Sequence, residues 1–242
     1  MHLFYCQNVE KDRFLNEEES HHCVKVLRCA IGDAIQVMDG KGNLFNCAIE
    51  IANHRRVAVR IKKKIESAKP NFNLTIAIAP TKNIDRLEWF LEKATEIGIS
   101  RIIPILCDNS ERKIIKNERL EKVLVSAMKQ SMQTYMPVLE ELITVSELLT
   151  RYASAPNSSV NTSTQRFIAH CHNMPKVALK TACATNKDVL ILIGPEGDFS
   201  EKEVEKAILA GFKTISLGQS RLRTETAGIV ACHTVNLVNE TA

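Results

Sequence analysis

Five consecutive apolar residues, Val189–Ile193, run directly into Gly194-Pro195-Glu196-Gly197, and Ser200-Glu201-Lys202-Glu203 follows two residues later. An unbroken Val/Ile/Leu run of this length reads as a strand buried on both faces, because a half-wet strand alternates. Ser200 and Glu203 have capping-box spacing and open a helix running to about Ala210. A doubly buried strand feeding a helix is the building unit of a parallel sheet. Similar signals occur upstream. Leu74–Ala79 is an apolar strand stopped by Pro80; Leu87, Phe90, Leu91, Ala94 and Ile97 then recur at helical spacing, and Gly98 can end that helix. Ile102–Leu106 is another buried strand, and Leu120, Val123, Leu124, Ala127, Met128 and Ser131 mark one face of a second long helix. Phe167–Cys171 and Thr214–Leu217 are further strand candidates, and a final helix follows Thr224 to about Asn239. Between Tyr152 and Gln165 the Ser, Thr and Asn content reads as an exposed loop. The expected class is α/β, with a mostly parallel sheet covered on both faces.

Residues 1–69 have another character. Ile35-Gln36-Val37-Met38 meets the turn signal Asp39-Gly40-Lys41-Gly42-Asn43, and Leu44–Ile51 returns as a strand. Val57, Val59 and Ile61 alternate with Arg56, Ala58, Arg60 and Lys62, the period of a half-buried strand with a basic outer face. The expected division is a small β-rich domain over 1–69, compatible with a barrel, and an α/β domain over 70–242. The chain's net charge of +4 is mild. It is unevenly spread: residues 1–69 hold 12 Lys/Arg against 9 Asp/Glu, and the remainder 20 against 19. Arg55, Arg56, Arg60, Lys62, Lys63 and Lys64 form a run that no acid interrupts, which suits a polyanionic partner as well as a solvated face.

An apolar fraction of 45% and a charged fraction of 25% are ordinary for a folded globular chain and exclude long disorder. No apolar stretch approaches a membrane span, and the N-terminus lacks a signal-peptide pattern, so a cytoplasmic protein without a membrane partner is expected. The eight cysteines are scattered without a C-x-x-C pair and read as reduced, mostly buried thiols. His21, His22, Cys23 and Cys29 lack the paired spacing of a zinc site, and no metal is expected.

In parallel sheets, ligands sit beyond the carboxyl ends of the strands. Two loops take that position: Gly194–Phe199, and Leu217–Thr226, whose Gly, two Arg, Glu and two Thr precede a helix N-terminus. Either alone is also consistent with an ordinary turn and helix cap. Neither contains G-x-G-x-x-G or a phosphate-loop lysine.

Together, Gly194-Pro195-Glu196-Gly197 and Leu222-Arg223-Thr224-Glu225-Thr226-Ala227 resemble the C-terminal signature of the bacterial 16S ribosomal RNA uracil-N3 methyltransferases, the RsmE family of the SPOUT class. His22-Cys23-Val24-Lys25-Val26-Leu27-Arg28 resembles the family's N-terminal H-x-x-x-V-L-R, and Asp39-Gly40 its following turn. Lys82 to Gly98, Ser110-Glu111-Arg112 and Gln130-Ser131 fit as well, so the likeness spans nearly the whole chain. Asp198 stands where a second glycine is usual, Lys129 replaces a common Glu and Gln133 a common Arg. The first of these departures bears on loop geometry, the other two on RNA contacts.

The resemblance implies an N-terminal PUA-like, RNA-binding β-barrel and a C-terminal domain with a trefoil knot, acting as a homodimer on 16S rRNA of the 30S subunit. It implies S-adenosylmethionine as cofactor, held by Ile193, Gly194, Pro195, Glu196, Gly197, Leu217, Gly218, Leu222, Arg223, Thr224, Thr226 and Ala227. Uracil N3 carries a weakly acidic proton, so the site must remove it or stabilise the resulting anion. Arg223 is the candidate stabiliser and Glu225 the candidate base, although the two could instead pair with each other, and Glu225 could merely cap the last helix. His22, Arg28, Arg55, Arg56, Arg60, Lys62 and Lys64 are the candidate RNA contacts, with a packed structural role for His22 equally open. The alternatives are a SPOUT enzyme for a different RNA position, such as a tRNA ribose, and a non-catalytic RNA-binding or ribosome-assembly protein.

Overall fold

The computed structural model describes residues 1–152 and 164–240. Most of the loop expected over Tyr152–Gln165 lies outside the described residues. The chain forms two compact units, Met1–Lys69 with Val125–Met136, and Pro70–Leu124 with Pro137–Ala242.

The first unit contains β1 (His2–Tyr5), α1 (Val9–Asp12), α2 (Glu17–His21), a π-helical turn (His22–Val26), β2 (Ala34–Met38), β3 (Asn43–Ile51) and β4 (Ala58–Glu66). Its sheet has the order β1-β2-β3-β4, with β1 parallel to β2 and the other pairings antiparallel. Phe4, Ile35, Val37, Phe45, Cys47, Ile49, Val57 and Val59 form its core. The tight turn joining β2 to β3 follows from Asp39, whose carboxylate accepts the backbone N–H of Lys41 and Asn43, and from Gly40 and Gly42 at positive φ. At Gly42 a Cβ would sit 2.4 Å from the Tyr135 ring, so only glycine fits. A bulge breaks the expected alternation on β4. The register passes from Lys63–Asn46 to Ile61–Cys47, leaving Lys62 unpaired, and Arg60, Lys62, Lys63 and Lys64 are all exposed.

Lys129 has a specific local role in this unit. Its Nζ lies 2.7 and 3.0 Å from the two carboxylate oxygens of Glu19, which is 7% exposed and also accepts the Tyr5 N–H. A glutamate at position 129 would face a buried carboxylate in this chain.

The second unit contains β5 (Leu74–Ile78), α3 (Ile84–Ile97), β6 (Arg101–Leu106) and α4 (Asn117–Ser131), the C-terminal half of α4 grouping with the first unit. There follow β7 (Val138–Leu139), β8 (Ile143–Thr144), α5 (Val145–Tyr152), β9 (Gln165–Ala169), β10 (Val177–Ala178) and α6 (Leu179–Ala182). The chain closes with β11 (Val189–Ile193), α7 (Glu201–Leu209), β12 (Lys213–Ser216) and α8 (Thr224–Asn239). The sheet order is β10-β12-β9-β11-β5-β6-β7 with β8 also beside β6, and every described pairing in it is parallel. The expected parallel sheet is present, and all five residues of β11 are buried.

Alternate strand residues Ala77, Ile103, Ile105, Ile168, Leu190 and Leu192 pack against Val145, Leu148 and Leu149 of α5 and Val204 and Ala207 of α7. On the other face Gly228 of α8 approaches so closely that a Cβ there would lie 2.6 Å from Phe90 of α3 and 3.0 Å from Ile78 of β5. Both sheet faces are therefore covered, and each fully buried Ile or Leu contributes roughly 1.5–3 kcal/mol. The capping box forms as expected: Ser200 Oγ accepts the Glu203 N–H while the Glu203 carboxylate accepts the Ser200 N–H.

Candidate functional site

Strands β12, β9 and β11 are neighbours, and the loops leaving their carboxyl ends surround one cavity of about 680 Å³. That volume suits a small-molecule ligand. Most of the wall comes from three segments: Ala169–Cys171 at the end of β9, Gly194–Glu196 and Asp198 in the turn after β11, and the long loop from Leu217 to Thr224 after β12. Thr224 Oγ1 donates a buried 3.0 Å hydrogen bond to the Gly194 carbonyl and ties the second segment to the third.

Of the residues expected at the cofactor, Ile193, Gly194, Pro195, Glu196, Leu217, Gly218, Leu222, Arg223, Thr224 and Ala227 line this cavity, whereas Gly197 and Thr226 are not part of its wall. Gly197 has a local reason to be glycine. A Cβ there would lie 3.0 Å from that of Asn109, whose amide donates to the Gly197 and Asp198 carbonyls.

The two candidate catalytic side chains separate. Arg223 lines the cavity, is exposed, and has no ion-pair partner among the described residues. Glu225 is buried and does not line the cavity; its Oε1 lies 4.0 Å from Arg86 Nε, and its Oε2 is buried with no hydrogen-bond partner among the described residues. An Arg223–Glu225 ion pair is therefore not formed. Glu196 accepts the Lys82 N–H through Oε1, and its Oε2 is buried with no hydrogen-bond partner among the described residues. The loop carrying Lys82 is itself fixed by Arg112, which donates to the Thr81 and Lys82 carbonyls, and by the Lys82–Glu111 ion pair at 2.8 Å.

Sequence reasoning missed His170, Cys171 and Lys176 as parts of this wall. Ala-His-Cys-His has no motif value. The available signal was positional: Phe167–Cys171 was a strand candidate, and its carboxyl end falls under the same rule that singled out the other two loops. His170 is 8% exposed, and both ring nitrogens are buried with no hydrogen-bond partner among the described residues. Burial and, secondarily, the Lys176 ammonium push its pKa down from 6.5 to about 4, so the imidazole is neutral at pH 7. The unfolded chain takes up a proton as pH falls through 6.5, whereas the folded chain resists until about 4. This histidine therefore costs no stability above pH 6.5 and progressively more as pH drops towards 4, by at most about 3 kcal/mol. A His170→Gln variant should lose less stability than the parent between those two limits in denaturant titrations. Parallel stability–pH curves would contradict it.

The candidate RNA contacts all lie on the first unit. His22 and Arg28 are exposed, the His22 ring standing edge-on to Phe4 and Arg28 holding a left-handed φ of 56°. Arg56 stacks its guanidinium 3.8 Å over the Phe14 ring. Although no acid interrupts the basic run in sequence, the fold brings acids to it: Arg60 lies 3.5 Å from Glu50, and Lys64 lies 3.3 Å from Glu10 and 3.2 Å from Glu66. Arg55 and Lys62 are exposed without an ion pair among the described residues. Among those residues no group of three His, Cys, Asp or Glu is arranged to hold a metal, and no helix is long and apolar enough to cross a membrane.

A family model described as "RNA methyltransferase domain" matches residues 68–236, and one described as "RNA methyltransferase PUA domain" matches residues 15–62. The Rickettsia conorii protein named ribosomal RNA small subunit methyltransferase E is 28% identical, with 94% of this chain and 90% of that protein covered. A Porphyromonas gingivalis crystal structure described as a "probable rRNA-methyltransferase" is 41% identical, with a TM-score of 0.88 over 98% of this chain and 99% of that one. A Legionella pneumophila protein solved with the cofactor SAM bound is 25% identical, with a TM-score of 0.81 over 93% and 91% of the two chains. The chain belongs to the RNA methyltransferase family, alongside the ribosomal RNA small subunit methyltransferase E proteins.

Proposed function

We propose that this protein transfers a methyl group from S-adenosylmethionine to N3 of a specific uridine in the 16S rRNA of the small ribosomal subunit. The observation that carries the reading is the cavity where the Gly194–Asp198 and Leu217–Thr224 loops meet at the strand ends, in a chain of this family. The residues present fit such a cofactor. The cavity has the size of a small-molecule site, its wall offers cationic, anionic and apolar groups, and the two ring nitrogens of His170 have no hydrogen-bond partner among the described residues. Backbone groups of Ile193–Gly197, Leu217–Gly218 and Leu222–Ala227 would hold the adenosine portion, with the Leu217 and Leu222 side chains enclosing it. When bound, the cofactor supplies an electrophilic sulfonium methyl.

The chain's own side chains must manage the charge on the base. Loss of the N3 proton spreads negative charge over the flanking uracil oxygens, and Arg223, which lines the cavity and has no ion-pair partner among the described residues, is the cation proposed to meet it. Glu225, whose buried Oε2 has no hydrogen-bond partner among the described residues, is the candidate proton acceptor, acting through a water because it does not itself line the cavity. On the first unit Arg28, Arg55, Arg56, Arg60, Lys62 and Lys64, with His22, form the RNA-contacting set; phosphate contacts of this kind position the substrate without reading its sequence. The same reading includes a PUA-like barrel over residues 1–69, a knotted domain over 70–242, a homodimer, and action in the cytoplasm where ribosomes assemble.

The test is mass spectrometry of 16S rRNA from a strain lacking the gene, with and without the plasmid-borne protein. Loss of 3-methyluridine at the decoding centre, restored by the plasmid, is the expected result. Its retention in the deletion strain would overturn the substrate assignment.

A further inference from the structure

Asp198 occupies a position that few side chains can take. Its φ is +64°, in the left-handed region where glycine is at ease and Asp and Asn are the best tolerated alternatives. The conformation a glycine would adopt is therefore kept, and a carboxylate is added to it. Oδ2 accepts the Cys171 N–H at 2.7 Å and Oδ1 accepts the Phe199 N–H at 2.9 Å, so the group is anchored to the segments leaving both β9 and β11. The side chain is 15% exposed and Asp198 belongs to the cavity wall. His172 stands 4.0 Å away, its Nε2 engaged 2.7 Å from the Phe199 carbonyl oxygen.

The charged groups of the wall are Lys176, Arg221 and Arg223 against Glu196 and Asp198, so Asp198 supplies one of two negative charges opposing three positive ones. We propose that the Asp198 carboxylate is a specificity determinant that shifts this cavity's preference towards the sulfonium cofactor and away from its uncharged thioether product. The inference rests on the reading of the cavity as the S-adenosylmethionine site. Cofactor and product share adenosine, amino and carboxylate groups and differ in the methyl and the positive charge on sulfur. A fixed anion in the wall therefore acts on their difference, whereas every contact to the shared groups cancels. A cavity of about 680 Å³ is roughly 10 Å across, so no point in it lies much beyond a Debye length from the carboxylate. Without Asp198 the wall would carry three positive charges against one negative and would resist a sulfonium while leaving the thioether unaffected.

The experiment is calorimetric titration of the full chain and of Asp198→Asn and Asp198→Gly with S-adenosylmethionine and, separately, with S-adenosylhomocysteine. Asn keeps the shape and the tolerance of left-handed φ; Gly removes the side chain and the strain together. The ratio of the two affinities should fall by about 5–30-fold in both variants, as expected for one unit charge at several ångströms in a partly polar site. The fall should shrink as salt is raised. If Asp198 only shapes the loop, each variant weakens both ligands by the same factor and the ratio stays put, which overturns the inference. A parent chain that binds neither ligand refutes the cofactor reading itself, and the inference falls with it; a parent that binds both with an unmoved ratio in the variants refutes the inference alone.

Discussion

An Arg223→Ala variant should turn over about 10²–10³-fold more slowly than the parent in single-turnover methyl transfer. The argument starts from charge. The uracil anion is stronger as a nucleophile and costlier to form, and a cation aimed at its oxygens lowers that cost only as the charge develops. Arg223 is the cationic residue at the start of α8 that lines the cavity, and it has no ion-pair partner among the described residues to relinquish. Its backbone carbonyl accepts the Ala227 N–H whatever the side chain, so truncation leaves the helix start in place. Thermal stability should therefore be close to parental, and the loss should fall on kcat more than on cofactor affinity. Arg223→Lys keeps the charge but loses the planar fork and should recover part of the rate. A rate within a small factor of the parent, or an equal loss in folded protein, would remove Arg223 from the chemistry.

Lys129→Glu should destabilise the chain by about 2–4 kcal/mol, less than the cost of breaking a fully buried pair because the Lys129 side chain is 25% exposed. The substitution removes the partner of Glu19, which is 7% exposed, and sets a second carboxylate against it. Denaturant melts should show a lower midpoint with an unchanged slope. Exchanging the two, Glu19→Lys with Lys129→Glu, should restore a substantial part of the loss. If the double variant is as unstable as the sum of the singles, the pair is not the source of the effect.

What could be read in advance was whatever local chemistry dictates. The apolar runs at β5, β6 and β11 are strands because no other element buries both faces of so short a segment, and the Ser200–Glu203 box starts α7 wherever the helix packs. The glycine at Gly98 ends α3 at φ +116° for the same kind of local reason. What could not be read depends on distant partners. β1 is a strand because it pairs in parallel with β2, thirty-odd residues on, and nothing within His2–Tyr5 announces it. The bulge at Lys62 is set by the β3 register rather than by the basic run. Half of the site was legible on the same terms, since the two motif loops carry unusual residues, whereas His170 and Lys176 enter only because β9 lies between β11 and β12. Arg223 and Glu225 are only two residues apart, yet Arg223 lines the cavity while Glu225 is buried beside Arg86, a separation that their spacing in the sequence does not reveal.

The position of β9 also has a consequence for how the protein is made. As the chain leaves the ribosome, β9 emerges before either of the strands that flank it, and the edge of β5 opposite β6 stays open until β11 arrives, more than a hundred residues later. Such long-range pairings are slow to form and leave sheet edges exposed meanwhile. The nascent protein therefore passes through a stage in which most of its length is synthesised yet β9 is unpaired and no binding cavity exists. Synthesis that stops before β12 yields a chain prone to aggregate rather than a weaker enzyme, and chaperone dependence should be concentrated in the last third of translation.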